Sequence, residues 1–148
     1  MDVALIKPWG NWFLLALTMW REARGESKEC KVAVAWSILN RVARGGWWGD
    51  RVDKVIRKKW QYSSMTAPGD PNLVAWPDLD DPSFVDCATI AYDVLHNAIA
   101  NPVPGADSYF DISIQAPAWT KDARLVAQIG RIIFYDVDHD YEAPVTGH

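Results

Sequence analysis

Glu22 stands at the end of the stretch Trp12 to Glu26, WFLLALTMWREARGE, in the company of Arg21, Arg24 and Glu26. A carboxylate in the last turn of a helix meets the partial negative charge of the unpaired carbonyls. Partial burial disfavours its ionised form as well, so both effects raise its pKa. A glutamic acid still protonated near neutral pH can act as a general acid towards a leaving oxygen. Position alone leaves a second reading open, in which Glu22 only pairs with Arg21 or Arg24 at the helix end.

The elements that must hold this group follow from the pattern around it. From Trp12 to Trp20 only Thr18 is polar, so the helix is apolar around its whole circumference and belongs in the middle of a domain. Pro8 and Gly10 predict an irregular lead-in over residues 1–10, Asn11 an N-cap, and Gly25 a helix end at positive φ that leaves Glu26 near a cleft in a supporting role. A second helix is predicted from Ser27 to Ala43 on the spacing of Val32, Ala35, Trp36, Leu39 and Val42, ended by Gly45 and Gly46. Within it Asn40 and Arg41 read as support for the loop around Glu22. Asp50 is expected to cap a short helix that buries Val52, Val55 and Ile56, with Arg51, Lys54, Arg57, Lys58 and Lys59 solvated. The segment from Gln61 to Asp80 is too long and too rich in Pro, Gly and Asp for an idle connection, and suits the wall of a binding cleft. Asp70, Asp78 and Asp80 lie in it, where folding could bring one of them opposite Glu22.

Asp81 and Pro82 read as the N-cap and first residue of a further helix, whose stripe runs from Phe84 through Cys87, Ala88, Ala91, Tyr92, Leu95 and Ala98 to Ile99 and stops at Asn101-Pro102. Residues 106–114 suit a short strand or extended loop bearing Tyr109. Residues 122–128 read as a turn of helix and 131–137 as a strand, with Gly130 at the bend between them. The fold class expected is α+β, mainly α, with a central buried helix and a small β element, in a single domain over residues 1–148.

Composition narrows the function classes. A net charge of -4 argues against a nucleic-acid binder, because neutralising phosphates needs a basic surface. The nine tryptophans include Trp47, Trp48 and Trp76 among Gly, Asp and Pro, where an indole could stack on a sugar ring or simply anchor a loop. The two cysteines, Cys30 and Cys87, fall on helical apolar patterns and read as small buried hydrophobes rather than a disulfide framework. His96, His139 and His148 carry no zinc spacing. Asp136, Asp138 and Asp140 begin like a calcium loop, but Tyr141 and Gly147 stand where that loop needs Gly and Glu, so no metal and no cofactor is expected. The apolar run is too short to span a bilayer, which argues against stable membrane insertion. No basic leader or cleavage site precedes it, so the chain is expected to begin near Met1 without an export address. A monomer is expected.

The run REARGESKECKVAVAWSILNRV resembles the opening signature of the SleB/CwlJ-type cell-wall hydrolases, which typically read GEARGE, a short gap, then QVAVAAVILNRV. Gln61-Tyr62-Ser63 is similar to that family's Gln-Phe-Ser, Gly105 to Phe110 to its GATHYH, Pro117-Ala118-Trp119 to a further block, and Ile129 to Tyr135 to its IGNHVFY. Ser108 and Phe110 replace the histidines that flank the family's tyrosine, which puts in doubt any proton transfer by those histidines.

The resemblance implies a lysozyme-like fold that cleaves the glycan strands of peptidoglycan, with Glu22 as catalytic acid. It also implies that Glu26, Gln61, Tyr62, Ser63, Tyr109 and Trp119 bind substrate. The implied reaction is a lytic transglycosylation, in which one carboxylate suffices because the substrate's own hydroxyl attacks. The alternatives are a hydrolytic muramidase, with Glu26, Asp70 or Asp78 as base, and a non-catalytic glycan-binding or virion protein. A short wall-cleaving chain without a leader resembles a phage endolysin, made in the host cytoplasm and admitted to the wall when the membrane is permeabilised.

Overall fold

The computed structural model describes residues 3–58 and 61–138, with side chains from residue 9 onward. Lys59, Trp60, His139, Asp140, Tyr141, Gly147 and His148 lie outside the described residues. The helices are α1 (Val3–Ala23), α2 (Lys28–Arg44), α3 (Val52–Ile56), α4 (Ser63–Thr66) and α5 (Pro82–Leu95). Short 3-10 turns occupy Gly46–Trp48, Pro71–Val74 and Ala118–Asp122. An antiparallel sheet is formed by β1 (Ser108–Asp111), β2 (Arg124–Ile129) and β3 (Ile132–Asp136) in the order β1-β3-β2.

Helix α1 is the axis of the molecule and packs against α2, α3, α4 and α5. Leu15, Ala16, Leu17, Thr18 and Met19 are buried in succession, as a helix apolar on all sides requires. The one polar residue among them is satisfied locally: Thr18 donates its hydroxyl to the carbonyl of Leu14 at 2.7 Å. Two indoles fasten α1 to α5, Trp12 donating to the carbonyl of Ala88 at 2.7 Å and Trp20 to the hydroxyl of Ser83 at 2.9 Å. Phe134 of β3 is fully buried in the same core, so helices and sheet share one apolar interior, each such side chain contributing about 1.5–3 kcal/mol.

Four expectations are corrected at the element ends. First, α1 begins at Val3 and runs through Pro8, Gly10 and Asn11, so residues 3–10 are helix rather than lead-in and Asn11 caps nothing. Packing of the helix on α5 outweighs the local propensities of those residues. Second, Gly25 does not take a positive φ, and a Cβ there would meet open space. The helix ends in a turn closed by the Glu26 N–H on the carbonyl of Ala23, and Ser27 then caps α2 through its side chain.

Third, Asp50 does not cap α3; it pairs with Lys54 at the surface, and Arg51 occupies the cap position without a side-chain capping bond. Fourth, α5 stops at Leu95, where Asn97 turns at φ 57, so Ala98 lies beyond the helix and exposed. Asp81 and Pro82 start α5 as expected, the carboxylate accepting from Ser83 N–H. The predicted helical turn over 122–128 is β2 instead. Its apolar residues alternate weakly, and pairing with β3 decides the conformation where local pattern does not.

Cys30 and Cys87 are free and buried, and burial pushes their thiols up to about 12 and about 11, which keeps them unreactive. Among the described residues no helix is long and apolar enough to cross a membrane, and no group of His, Cys, Asp or Glu is placed to hold a metal ion. Asp136 is engaged by Arg44 and Asp138 by Trp48.

Candidate active site

The end of α1, the end of α2, the Gln61–Tyr62 corner, β1 and the Ala118–Asp122 turn converge on one cleft of about 330 Å³. Glu22, Arg41, Trp48, Gln61, Tyr62, Ser108, Tyr109, Trp119 and Val137 line it. A larger hollow of about 470 Å³, bounded by Trp9, Trp12, Tyr92 and His96, lies where the N-terminal half of α1 meets the end of α5 and has no carboxylate among the described residues of its lining. Acid chemistry belongs to the first of the two.

Glu22 accepts a hydrogen bond from the Tyr109 hydroxyl at 2.8 Å. Burial raises its pKa, the hydroxyls of Tyr109 and Ser64 pull the other way, and the charge of Asp70 raises it further. Desolvation is thus the leading cause. Neither neighbouring arginine pairs with it. Arg21 instead reaches the carbonyls of Ala75 and Ser64 at 3.1 Å each and lies 4.7 Å from the centre of the Trp76 ring. Arg24 lies over Trp20 and donates to Asn72. Among the described residues Glu22 makes no ion pair, so the reading that it only pairs with Arg21 or Arg24 fails.

Both arginines hold the loop over residues 61–80, and that loop sets Ser64 beside the carboxyl. Among the described residues the buried Ser64 hydroxyl completes no hydrogen bond, yet it lies close enough to Glu22 to lower its pKa. Tyr109 reaches Glu22 from β1, where it pairs in register with Phe134 and packs against that ring at 5.6 Å. Burial and the nearby Glu22 push the Tyr109 hydroxyl well above its ordinary pKa, so it stays a donor. Gly105, just before this strand, turns at φ 82 with Asp136 Oδ2 only 3.2 Å from where a Cβ would stand, a conformation and a gap that suit glycine alone.

The predicted site residues divide. Glu22, Gln61, Tyr62, Tyr109 and Trp119 come together in the cleft. Glu26 does not line it; its carboxylate lies against the β2–β3 turn, 3.2 Å from where a Cβ on Gly130 would stand. Ser63 is exposed and bonds Asp70 at 2.8 Å, so the serine beside Glu22 is Ser64, one residue on. Asp70 spends its oxygens on Ser63 and the Asn72 N–H, while Asp78 and Asp80 are exposed, and none of the three lines the cleft. Tyr62 is only 2 % exposed and belongs to the core as well as to the cleft wall. Truncating it would therefore unsettle the fold, against the sequence-based expectation of a purely binding role.

Four lining residues, Val137 among them, fall outside the predicted set. Ser108 lies where the resemblance has histidine. Trp48 is buried and donates its indole N–H to Asp138 at 3.1 Å, whereas Trp47 beside it is 61 % exposed and Trp76 is 64 % exposed. Arg41 carries the most informative missed signal: it follows Val34 and Ile38 on the buried face of α2, a charge set in an apolar stripe.

A family model described as cell wall hydrolase matches residues 25–135. The catalytic domain of the Bacillus cereus SleB protein is similar in structure, with a TM-score of 0.67 at 24% identity over 84% of this chain and 88% of that one. The catalytic domain of the germination-specific lytic transglycosylase SleB from Bacillus anthracis is similar too, with a TM-score of 0.67 at 23% identity over 84% of this chain and 93% of that one. No curated protein matches the chain. The likeness to the two solved structures shows a shared, lysozyme-like fold. Glu22 stands just ahead of the matched span, so its role rests on the geometry above. The match covers most of the sequence, and the chain belongs to the cell wall hydrolase family.

Proposed function

We propose that this protein degrades peptidoglycan by cleaving the bond between N-acetylmuramic acid and N-acetylglucosamine, and that it does so by lytic transglycosylation. Glu22 donates its proton to the glycosidic oxygen as the bond from the anomeric carbon breaks. The 6-hydroxyl of the same muramoyl residue then attacks that carbon and returns its proton to Glu22. A 1,6-anhydro ring forms and no water is consumed. The carrying observation is that Glu22 is the single carboxylate among the described residues that line the cleft. A hydrolase must activate water with a second carboxylate, and Asp70, the acidic group that acts on Glu22 through space, is held elsewhere by Ser63 and Asn72.

Mass spectrometry of the soluble fragments from purified walls tests this. Muropeptides one water lighter than hydrolytic products, with ends that resist borohydride, are expected. Reducible ends would make the enzyme a muramidase, and no fragments at all would favour a glycan-binding protein. The setting we propose is phage-induced host lysis, with the enzyme made in the host cytoplasm. Cytoplasmic expression with and without a membrane-permeabilising step checks it, lysis only with that step being expected.

Tyr109 orients the acid. Replacing it by Phe keeps the packing on Phe134 and removes the hydroxyl that lowers the Glu22 pKa. The alkaline limb of the pH–activity profile should move to higher pH, and the rate at the optimum should fall about tenfold as the carboxyl loses its anchor. An unmoved alkaline limb would separate Tyr109 from the titration of Glu22.

A further inference from the structure

Arg41 is the single cation among the described residues that line the cleft, and it is only 5 % exposed. Its guanidinium lies 4.4 Å from the centre of the Trp48 ring and 4.9 Å from that of Tyr62. Its Nε donates to the carbonyl oxygen of Asp107 and its Nη1 to Gln61 Oε1 at 3.1 Å. Every one of these partners is neutral. Among the described residues no ion pair includes Arg41, and the neighbouring carboxylates of Asp107 and Asp136 are both bridged by Arg44. Glu22, in the same cleft, bonds Tyr109, and its burial favours the neutral acid.

A buried guanidinium without a counter-ion is costly, and a planar fork already fixed by two bonds and two rings loses little freedom in taking a carboxylate. We propose that Arg41 binds a carboxylate of the substrate and so makes the enzyme selective for glycan strands with acidic substituents over strands of N-acetylglucosamine alone. This rests on the peptidoglycan reading and deepens it. A peptidoglycan strand offers such a group in two places: the lactyl carboxyl of N-acetylmuramic acid where the stem peptide is absent, and the peptide's own carboxyls where it is present. Both present the same chemistry to Arg41.

The test is equilibrium binding to the full chain carrying Glu22→Gln, which holds the strand without cutting it. Two ligand pairs are titrated calorimetrically: a peptide-free N-acetylglucosamine–N-acetylmuramic acid tetrasaccharide with free or methylamidated lactyl groups, and the peptide-bearing tetrasaccharide with free or methylamidated stem carboxyls. We expect the acid of at least one pair to bind about tenfold more tightly than its amide, and that pair identifies the source. Adding Arg41→Gln should shrink the preference below about twofold.

Equal binding within both pairs overturns the proposal, as does a preference that survives in a folded Arg41→Gln chain. If that variant does not fold, the comparison of acid with amide in the Glu22→Gln background still decides. The peptidoglycan reading is judged separately, by wild-type cleavage of purified walls. If no ligand binds while walls are cleaved, the Arg41 proposal fails and the broader reading stands; if walls also stay intact, both fail.

Discussion

Glu22→Gln should keep the fold and lower wall-cleaving activity by about 10²–10⁴, the range expected when a general acid is lost. The amide matches the shape of the carboxyl and still accepts the Tyr109 hydroxyl, but it has no acidic proton to give. Stability should move the other way. Because burial raises the pKa of Glu22, the folded chain keeps a proton that the unfolded chain releases. The stability tied to that proton is intact below the unfolded pKa and is lost as pH rises through the folded one. Glutamine carries no such penalty, so at neutral pH the variant should melt at or above the wild-type temperature. Turbidity loss of purified walls and thermal melts at two pH values measure both effects. A variant with half the wild-type rate would remove Glu22 from the chemistry.

The acid could be read in the sequence because two local facts meet there, an apolar run that must be buried and a carboxylate at its end. Helix α1 and the Asp81-Pro82 start of α5 were legible for the same reason, since periodicity and capping are local properties. What could not be read depended on contacts across the fold. Helix α1 runs through Pro8 and Gly10 because it packs on α5, and β2 is a strand because β3 pairs with it. Proximity to Glu22 in sequence suggests that Glu26 lies near the cleft, but the turn after Ala23 sends it to the β2–β3 turn instead. The resemblance points to Ser63, but α4 turns it outward while burying Ser64. Arg41 sat within a recognised block, yet its importance as a buried cation emerges only once Trp48, Tyr62 and Asp107 are seen around it.

Asp107→Asn should be the most destabilising single change near the cleft, costing about 3–5 kcal/mol. The Asp107 side chain is 0 % exposed. Its carboxylate accepts from Arg44 and from the backbone N–H groups of Val137 and Asp138 at 2.9 and 3.0 Å. All the groups around it are donors, so an asparagine would turn its NH₂ towards another N–H and leave both unsatisfied in a dry site. The charge that matches Arg44 would also vanish, leaving Asp136 as its remaining ion-pair partner among the described residues.

The damage would spread to the cleft by short routes. The backbone of Asp107 holds Arg41 through its carbonyl, its N–H is tied to Tyr135, and Tyr109 follows it on β1. For a domain of this length the melting temperature should drop by about 10 °C. Activity measured well below the transition should fall too, because Arg41 and Tyr109 lose their common support. Differential scanning calorimetry alongside the turbidity assay gives the answer: a melting temperature within about 2 °C of wild type would show that Arg44 and the two N–H groups find other partners, and that the node does not hold the cleft together.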